Sequence, residues 1–317
     1  FTLTGSSGVD TITGGAGADV IAGGDGNDSF IYLLTADLFT SQAIVDTSIA
    51  GNDGAGDQLT VGTSGTAFAI ADNDEWTGIT TVEKIVAATN TAAVTIDLDL
   101  TAYAAGIRTI DLSAGTAATG NIIKVDEFTT AGSATDALTL TGSATGITTI
   151  TGGDGADTIT GGSAVDVIVG GSGNDVFRYI ADADLFTAGN ALVDDITGGA
   201  NTDSIAINNH EKAAFNIVAL DSWAARNATL EAIITVGATD QVVSIIAHDN
   251  MHNAGITTID LSNDTNTAGA NVINVSNETS GAFTLTGSSG VDTITGGAGA
   301  DVIAGGDGND SFVYLLT

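Results

Sequence analysis

The apolar positions of this chain recur at an interval that suits neither a helix nor an ordinary strand. Leu3, Ile12, Ile21, Phe30 and Phe39 follow one another every nine residues, and so do Ile150, Ile159, Ile168, Phe177 and Phe186. With a slip of one residue the second series continues to Ile196 and Ile205. A helix buries positions three and four apart. A period of nine fits instead a six-residue turn followed by a three-residue strand. The central side chain of each T-I-T or V-I-A strand points inward and its neighbours point outward. Two such units make one coil, so turns eighteen residues apart stack on the same side. The expected fold is all-β: a parallel β-roll or β-solenoid built from tandem repeats.

The polar positions keep the same register. An Asp usually stands two residues before the inward apolar residue: Asp10, Asp19, Asp28 and Asp37, then Asp157, Asp166, Asp175, Asp184, Asp194 and Asp203. Eighteen-residue coils place Asp10 against Asp28, Asp19 against Asp37, Asp157 against Asp175 and Asp166 against Asp184. Glycines at the start and fourth position of each turn allow backbone angles that a Cβ would block. The turns before Asp37 (YLLTAD) and Asp184 (RYIADAD) have no glycine, which sets these two apart.

Longer repeats enclose the short one. Residues 283–317 repeat residues 1–35 with one change, Ile31 to Val313, so Asp292, Asp301 and Asp310 restate Asp10, Asp19 and Asp28. The chain reads as one full period of 282 residues plus the opening of the next, a piece of a longer tandem array. Within that period GGDGNDSFIY (23–32) matches GGSGNDVFRY (170–179), and AGIRTIDLS (105–113) matches AGITTIDLS (254–262). The organisation is therefore two related halves, 1–147 and 148–282, followed by the restart at 283–317. Between the arrays, segments such as AVTIDLDL (93–100), IRTIDLS (107–113) and NIIKV (121–125) read as wider rungs of the same solenoid, with a separate sandwich in each half as the alternative. A short helix is expected only within 222–236.

Charge sharpens the picture. Thirty-nine acidic residues stand against six basic ones, a net charge of −33. Nucleic acid needs a cationic surface and is excluded as a partner; anionic lipid is disfavoured on the same ground. Carboxylates this dense repel one another unless cations neutralise them. Hard divalent cations take oxygen ligands, so calcium fits and several ions are expected. With no Cys there is neither a disulfide framework nor a thiolate metal site. No apolar run reaches the roughly 18 residues that span a bilayer.

These residues resemble a known family. GGAGADVIA (14–22), GGDGNDSFI (23–31), GGDGADTIT (152–160) and GGSGNDVFR (170–178) match G-G-x-G-x-D-x-U-x, where U is a large apolar residue, the nonapeptide of repeats-in-toxin (RTX) proteins. GSSGVDTIT (5–13), GGSAVDVIV (161–169) and GGANTDSIA (198–206) depart from it at one glycine each, replaced by Ser6, Ala164 and Asn201. The resemblance implies a right-handed β-roll with Ca²⁺ between successive turns. Its ligands would be the carboxylates of Asp10, Asp19, Asp28, Asp157, Asp166, Asp175, Asp292, Asp301 and Asp310, with Asp37, Asp184, Asp194 and Asp203 as further candidates. Main-chain carbonyls near Gly8, Gly17, Gly26, Gly155 and Gly173 would complete the shells. The rungs between the arrays resemble those of bacterial surface-layer and giant adhesin proteins.

Other chemistry finds little support. His248-Asp249-Asn250-Met251-His252 imitates a zinc motif, but lacks the Glu and lies in β-patterned sequence, where loop histidines are expected. The glycine turns lack the Lys of a phosphate loop, and no G-x-S-x-G occurs, so the chain is not expected to be an enzyme. The expected function is that of a calcium-stabilised structural repeat of a secreted bacterial surface protein, exported by a type I system. It would assemble with copies of itself as a filament, surface layer or adhesin stalk, through outward apolar residues such as Val167, Val169 and Val176. The alternative is the RTX region of a secreted toxin or hydrolase whose active domain lies elsewhere. A cell-surface or glycan contact through Trp76 and Trp223 is the third reading, against their placement in the core.

Overall fold

The computed structural model describes residues 1–63, 65–89, 92–126, 137–188, 191–208, 214–218, 223, 227–236, 242–267 and 270–314. They form two compact units, Phe1–Gly171 and Ser172–Thr317. Each is a parallel β-solenoid.

In the first unit one sheet stacks Thr11–Ile12, Ser29–Tyr32, Gln58–Val61, Lys84–Ala87, Thr109–Asp111, Thr139–Thr141 and Thr158–Thr160, every neighbouring pair parallel. The other side of the coil opens with Thr2–Thr4, Val20–Asp25, Ser48–Asp53 and Ile79–Thr80. A further parallel row holds Phe68–Ile70, Val94–Asp97, Asn121–Lys124, Thr148–Thr151 and Val167–Ser172. In the second unit the first row is Val176–Tyr179, Ser204–Ile207, Ala232–Thr235, Thr258–Asp260, Thr284–Thr286 and Val302–Ala304. Asp195–Ala200 pairs with Asn227–Ala228, and a separate row runs from Phe215–Ile217 to Ser311–Val313.

Columns of inward side chains build the core. Phe30, Leu59, Ile85, Ile110, Leu140 and Ile159 stack in register and are buried, as are Phe177, Ile205, Ile233, Ile259 and Leu285 in the second unit. Burying each such side chain contributes about 1.5–3 kcal/mol. The wider rungs thus continue the solenoid within each unit, and the sandwich alternative is set aside.

The nine-residue register fails where the turn glycines stop. Leu3 pairs with Ile21 and Ile12 with Phe30 as expected, but Ile21 pairs next with Ile49, not Phe39. Residues 35–44 leave the coil: a helical turn α1 (Thr35–Leu38) leads into an antiparallel hairpin, Phe39–Thr40 with Ala43–Ile44. Without glycine the chain lacks the left-handed corners a nonapeptide turn needs. Phe39 packs edge-on against buried Trp76, ring centroids 5.5 Å apart. The second unit repeats the excursion, as an antiparallel bridge joins Phe186 to Leu192. Phe186 meets Trp223 at 5.0 Å. Both tryptophans are 1% exposed, which removes them as sugar platforms.

A second helix, α2 (Leu100–Ala105), starts at Asp99, whose Oδ1 accepts from the Thr101 amide, and ends at left-handed Gly106. The counterpart of α1 is α3 (Asp182–Leu185), and α4 spans Asp249–Asn253. The helix expected within 222–236 is absent from the described part of that stretch: Asn227–Ala228 and Ala232–Thr235 are strands. Ladder pairing of Ala232 and Ile233 to rungs on both sides overrides the helical propensity of LEAII.

Candidate metal-binding turns

An Asp two places before an inward apolar side chain has a recurring job. Its side-chain oxygen accepts the main-chain N–H of the residue one coil earlier. Asp10 N–H donates to Asp28 Oδ1 at 2.8 Å, and Asp28 N–H to Asp57 Oδ1 at 2.6 Å. Leu138 and Thr148 donate to Asp157 and Asp166, at 2.8 and 2.7 Å. In the second unit Asp175 donates to Asp203 at 2.8 Å, Phe283 to Asp301 at 3.0 Å and Asp292 to Asp310 at 3.0 Å. The restart therefore reproduces the Asp10–Asp28 contact as Asp292–Asp310. Asp157 belongs to the first unit and Asp175 to the second; each is fully buried.

The glycines make room for these carboxylates. A Cβ at Gly23 would strike Asp28 Oδ2, so the first glycine of the nonapeptide holds the second oxygen of its own Asp. Gly24 (φ 104°) and Gly26 (φ 112°) occupy the left-handed region, and a Cβ on either would collide with the Ser6 or Gly8 carbonyl oxygen one coil back. Successive turns thus stack carboxylates and carbonyl oxygens together, and the N–H of the turn's second residue reaches Oδ2 at Asp10, Asp157, Asp292 and Asp301.

Not every expected carboxylate joins the stack. Asp37 lies on α1 and Asp184 on α3, so neither takes the place set for it by the eighteen-residue spacing. Asp46 stands there instead of Asp37: Asp19 N–H donates to Asp46 Oδ1 at 3.0 Å. Asp46 Oδ2 accepts the Tyr32 hydroxyl at 2.5 Å, and Asp194 Oδ2 accepts that of Tyr179 at 2.7 Å. Burial and the bond to Asp46 raise the Tyr32 hydroxyl far above its ordinary value and keep it a donor.

The nonapeptide register also missed members of the ladder. Asp57 was hidden because GNDGAGDQL (51–59) carries one residue more than the repeat, although Asn52 (φ 72°) keeps the left-handed corner. Glu83 and Glu231 were hidden because Glu replaces Asp; their Oε2 atoms accept the Asp57 and Asp203 N–H at 2.9 and 2.7 Å. Asn121 and Asn271 do the same for Val94 and Val243, at 3.3 and 2.8 Å. The rule of two places before an inward apolar residue would have found all but Asp46.

Counter-charge is scarce. Among the described residues the ion pairs are the Phe1 amino group with Asp19, and Lys124 with Asp97 and Asp126 at 3.4 and 2.9 Å. Asp19, Asp28, Asp57 and Asp203 are buried, and the Oδ2 of each has no hydrogen-bond partner. Burial pushes the Asp166 and Asp203 carboxyls up to about 6 and raises those of Asp57, Glu83 and Asp292. A buried, unpaired carboxylate is costly, and a dication with oxygen ligands removes that cost. The residues present fit such an ion. No three Asp, Glu, His or Cys side chains converge among the described residues, so main-chain carbonyls must supply part of any shell.

His252 lies on α4 rather than in a loop, and its ring packs edge-on against Phe283, centroids 5.6 Å apart. The His248 side chain is outside the described residues. No described helix is long and apolar enough to cross a membrane.

No curated protein and no solved structure matches the chain. A family model does match, at residues 2–31, 144–177 and 284–312, which are the stretches where carboxylate, glycine corner and inward apolar residue follow the nine-residue order. The chain carries, in four copies, the RTX calcium-binding nonapeptide repeat.

Proposed function

We propose that this chain is a calcium-stiffened structural repeat of a secreted bacterial cell-surface protein, working in a filament, a surface layer or an adhesin stalk. The observation that carries the reading is the row of buried carboxylates whose second oxygen has no donor, at Asp19 and Asp28 within the arrays. Asp10, Asp19, Asp28, Asp157, Asp166, Asp175, Asp292, Asp301 and Asp310 would hold the ions, with carbonyl oxygens such as those of Ser6 and Gly8. Calcium, when bound, neutralises the stacked turns. The chain's own part is to hold each carboxylate by its Oδ1 and to press glycine corners close enough to share their carbonyls.

The restart at 283 favours an array over a toxin's secretion region, because it begins a second period with one substitution in 35 residues. Outward apolar side chains, Val165 and Val167 at 47% and 42% exposure, offer contact surface to another copy. Electron microscopy of the purified chain tests the reading. Ordered fibres or sheets in calcium that disperse on chelation are expected; dispersed monomers at high calcium and high concentration would contradict assembly.

A further inference from the structure

We propose that the coil beyond each nonapeptide array carries an additional divalent-cation site. In the first unit it is formed by Asp57, Glu83 and the Thr81 carbonyl, and in the second by Asp203, Glu231 and the Thr229 carbonyl. All six residues lie outside the stretches that match the family model. The choice of calcium as the ion rests on the function proposed above; the location rests on the following contacts.

Asp57 and Asp203 are both fully buried, and the Oδ2 of each has no hydrogen-bond partner. In each case that oxygen faces the glycine opening the turn. A Cβ at Gly51 would strike Asp57 Oδ2 and the Thr81 carbonyl oxygen together; one at Gly198 would strike Asp203 Oδ2 and the Thr229 carbonyl oxygen. Two oxygens therefore converge on one small space, and the carboxylate one has no hydrogen-bond partner. Glu83 and Glu231 close the group, since one oxygen of each accepts the Asp57 or Asp203 N–H and brings a second negative charge alongside.

The duplication makes chance placement a poor explanation. Thr81 and Thr229 sit in the left-handed region, at φ 51° and 58°, which β-branched residues rarely adopt. Their hydroxyls accept the Asn52 and Gly199 amides at 2.8 and 2.7 Å, which fixes each carbonyl over its glycine. The arrangement recurs in both units despite different sequence around it, GNDGAGD against GGANTD.

Ladder positions that need no ion look different. Asn121 turns its Nδ2 onto the Ala117 and Ile147 carbonyls at 3.2 and 3.3 Å, and Asn271 turns its own onto Asp264 at 2.8 Å. Asp46 and Asp194 have tyrosine hydroxyls. At Asp57 and Asp203 neither device is present, and an all-oxygen group with two carboxylates suits a hard dication.

Equilibrium dialysis of labelled Ca²⁺ against the full chain tests this, comparing the parent with Asp57→Asn/Asp203→Asn and with Glu83→Gln/Glu231→Gln. Asn keeps the acceptor for the Asp28 and Asp175 amides, as Asn121 does for Val94, and Gln keeps that for Asp57 and Asp203. Each double variant should bind two fewer ions per chain, or bind two ions on the order of tenfold more weakly, with an unchanged circular dichroism spectrum in calcium. Unchanged stoichiometry and affinity would overturn the proposal while leaving the array sites standing. A parent chain that binds no calcium would overturn both. If the Asp variant fails to fold in calcium, the Gln variant decides by the same count.

Discussion

An aspartate in these turns does two jobs with its two oxygens. Oδ1 caps a main-chain N–H one coil back, a structural role that needs no ion. Oδ2 faces the first glycine: at Asp10, Asp157, Asp292 and Asp301 it accepts the N–H of the turn's second residue, whereas at Asp19 and Asp28 it has no donor and must find a proton or a cation. Tyr32 supplies a proton to Asp46, and its replacement by Phe leaves a buried carboxylate unsatisfied. Tyr32→Phe should cost about 1–3 kcal/mol in denaturant unfolding in the presence of calcium, and Tyr179→Phe a similar amount through Asp194. Glycines separate by role in the same way. Gly23→Ala drives a methyl into Asp28 Oδ2 and should cost about 1–3 kcal/mol through overpacking. Gly17→Ala meets nothing nearby, so only the left-handed backbone resists it, at about 1–2 kcal/mol. Calcium titration separates the two further: Gly23→Ala, which displaces a carboxylate oxygen, should weaken binding more than Gly17→Ala.

Protonation reads out the same oxygens. Burial lifts the Asp166 and Asp203 carboxyls from an ordinary 3.8 to about 6. A raised folded-state value means the folded chain binds more protons than the unfolded chain between those limits. Without calcium, these two groups should therefore favour the fold as pH falls from about 6 towards 4, visible as partial recovery of β-structure on acidification in chelator. With calcium the sign reverses, because protons and cations compete for the same oxygens. A chain in chelator that gains no β-structure on acidification over that window would contradict the assignment.

At the level of elements, the coil was legible where its turns have fixed length. Leu3 over Ile21 and Ile12 over Phe30 follow from the nine-residue period alone. Leu59, Ile85, Ile110 and Leu140 also stack, yet the chain between them varies, so no period betrays the pairing. Phe39 was misplaced for a related reason: it keeps the interval but belongs to a hairpin whose corner, Ser41 and Gln42 at φ 53° and 74°, carries no glycine signal. The candidate site was legible in the arrays and lost at Asp57 and Glu83, where one inserted residue and one longer side chain break the pattern but not the contact. The hairpin is held by Phe39 on Trp76, whose indole N–H has no hydrogen-bond partner. Trp76→Ala should cost about 3–5 kcal/mol in denaturant unfolding, whereas Trp76→Phe forfeits no hydrogen bond and should cost clearly less.

For the whole molecule the governing quantity is charge. On the function proposed above, a chain of net −33 with its carboxylates stacked along the turns is expected to hold together only when cations enter with them. The apolar rungs favour the coil, and the anionic turns oppose it until they are neutralised. That balance makes folding itself the most direct reporter of calcium. Far-ultraviolet circular dichroism of the purified chain should show the β-spectrum lost in excess chelator and restored cooperatively by Ca²⁺, with equal Mg²⁺ ineffective because it sheds its water reluctantly. A full β-spectrum in excess chelator would contradict the account.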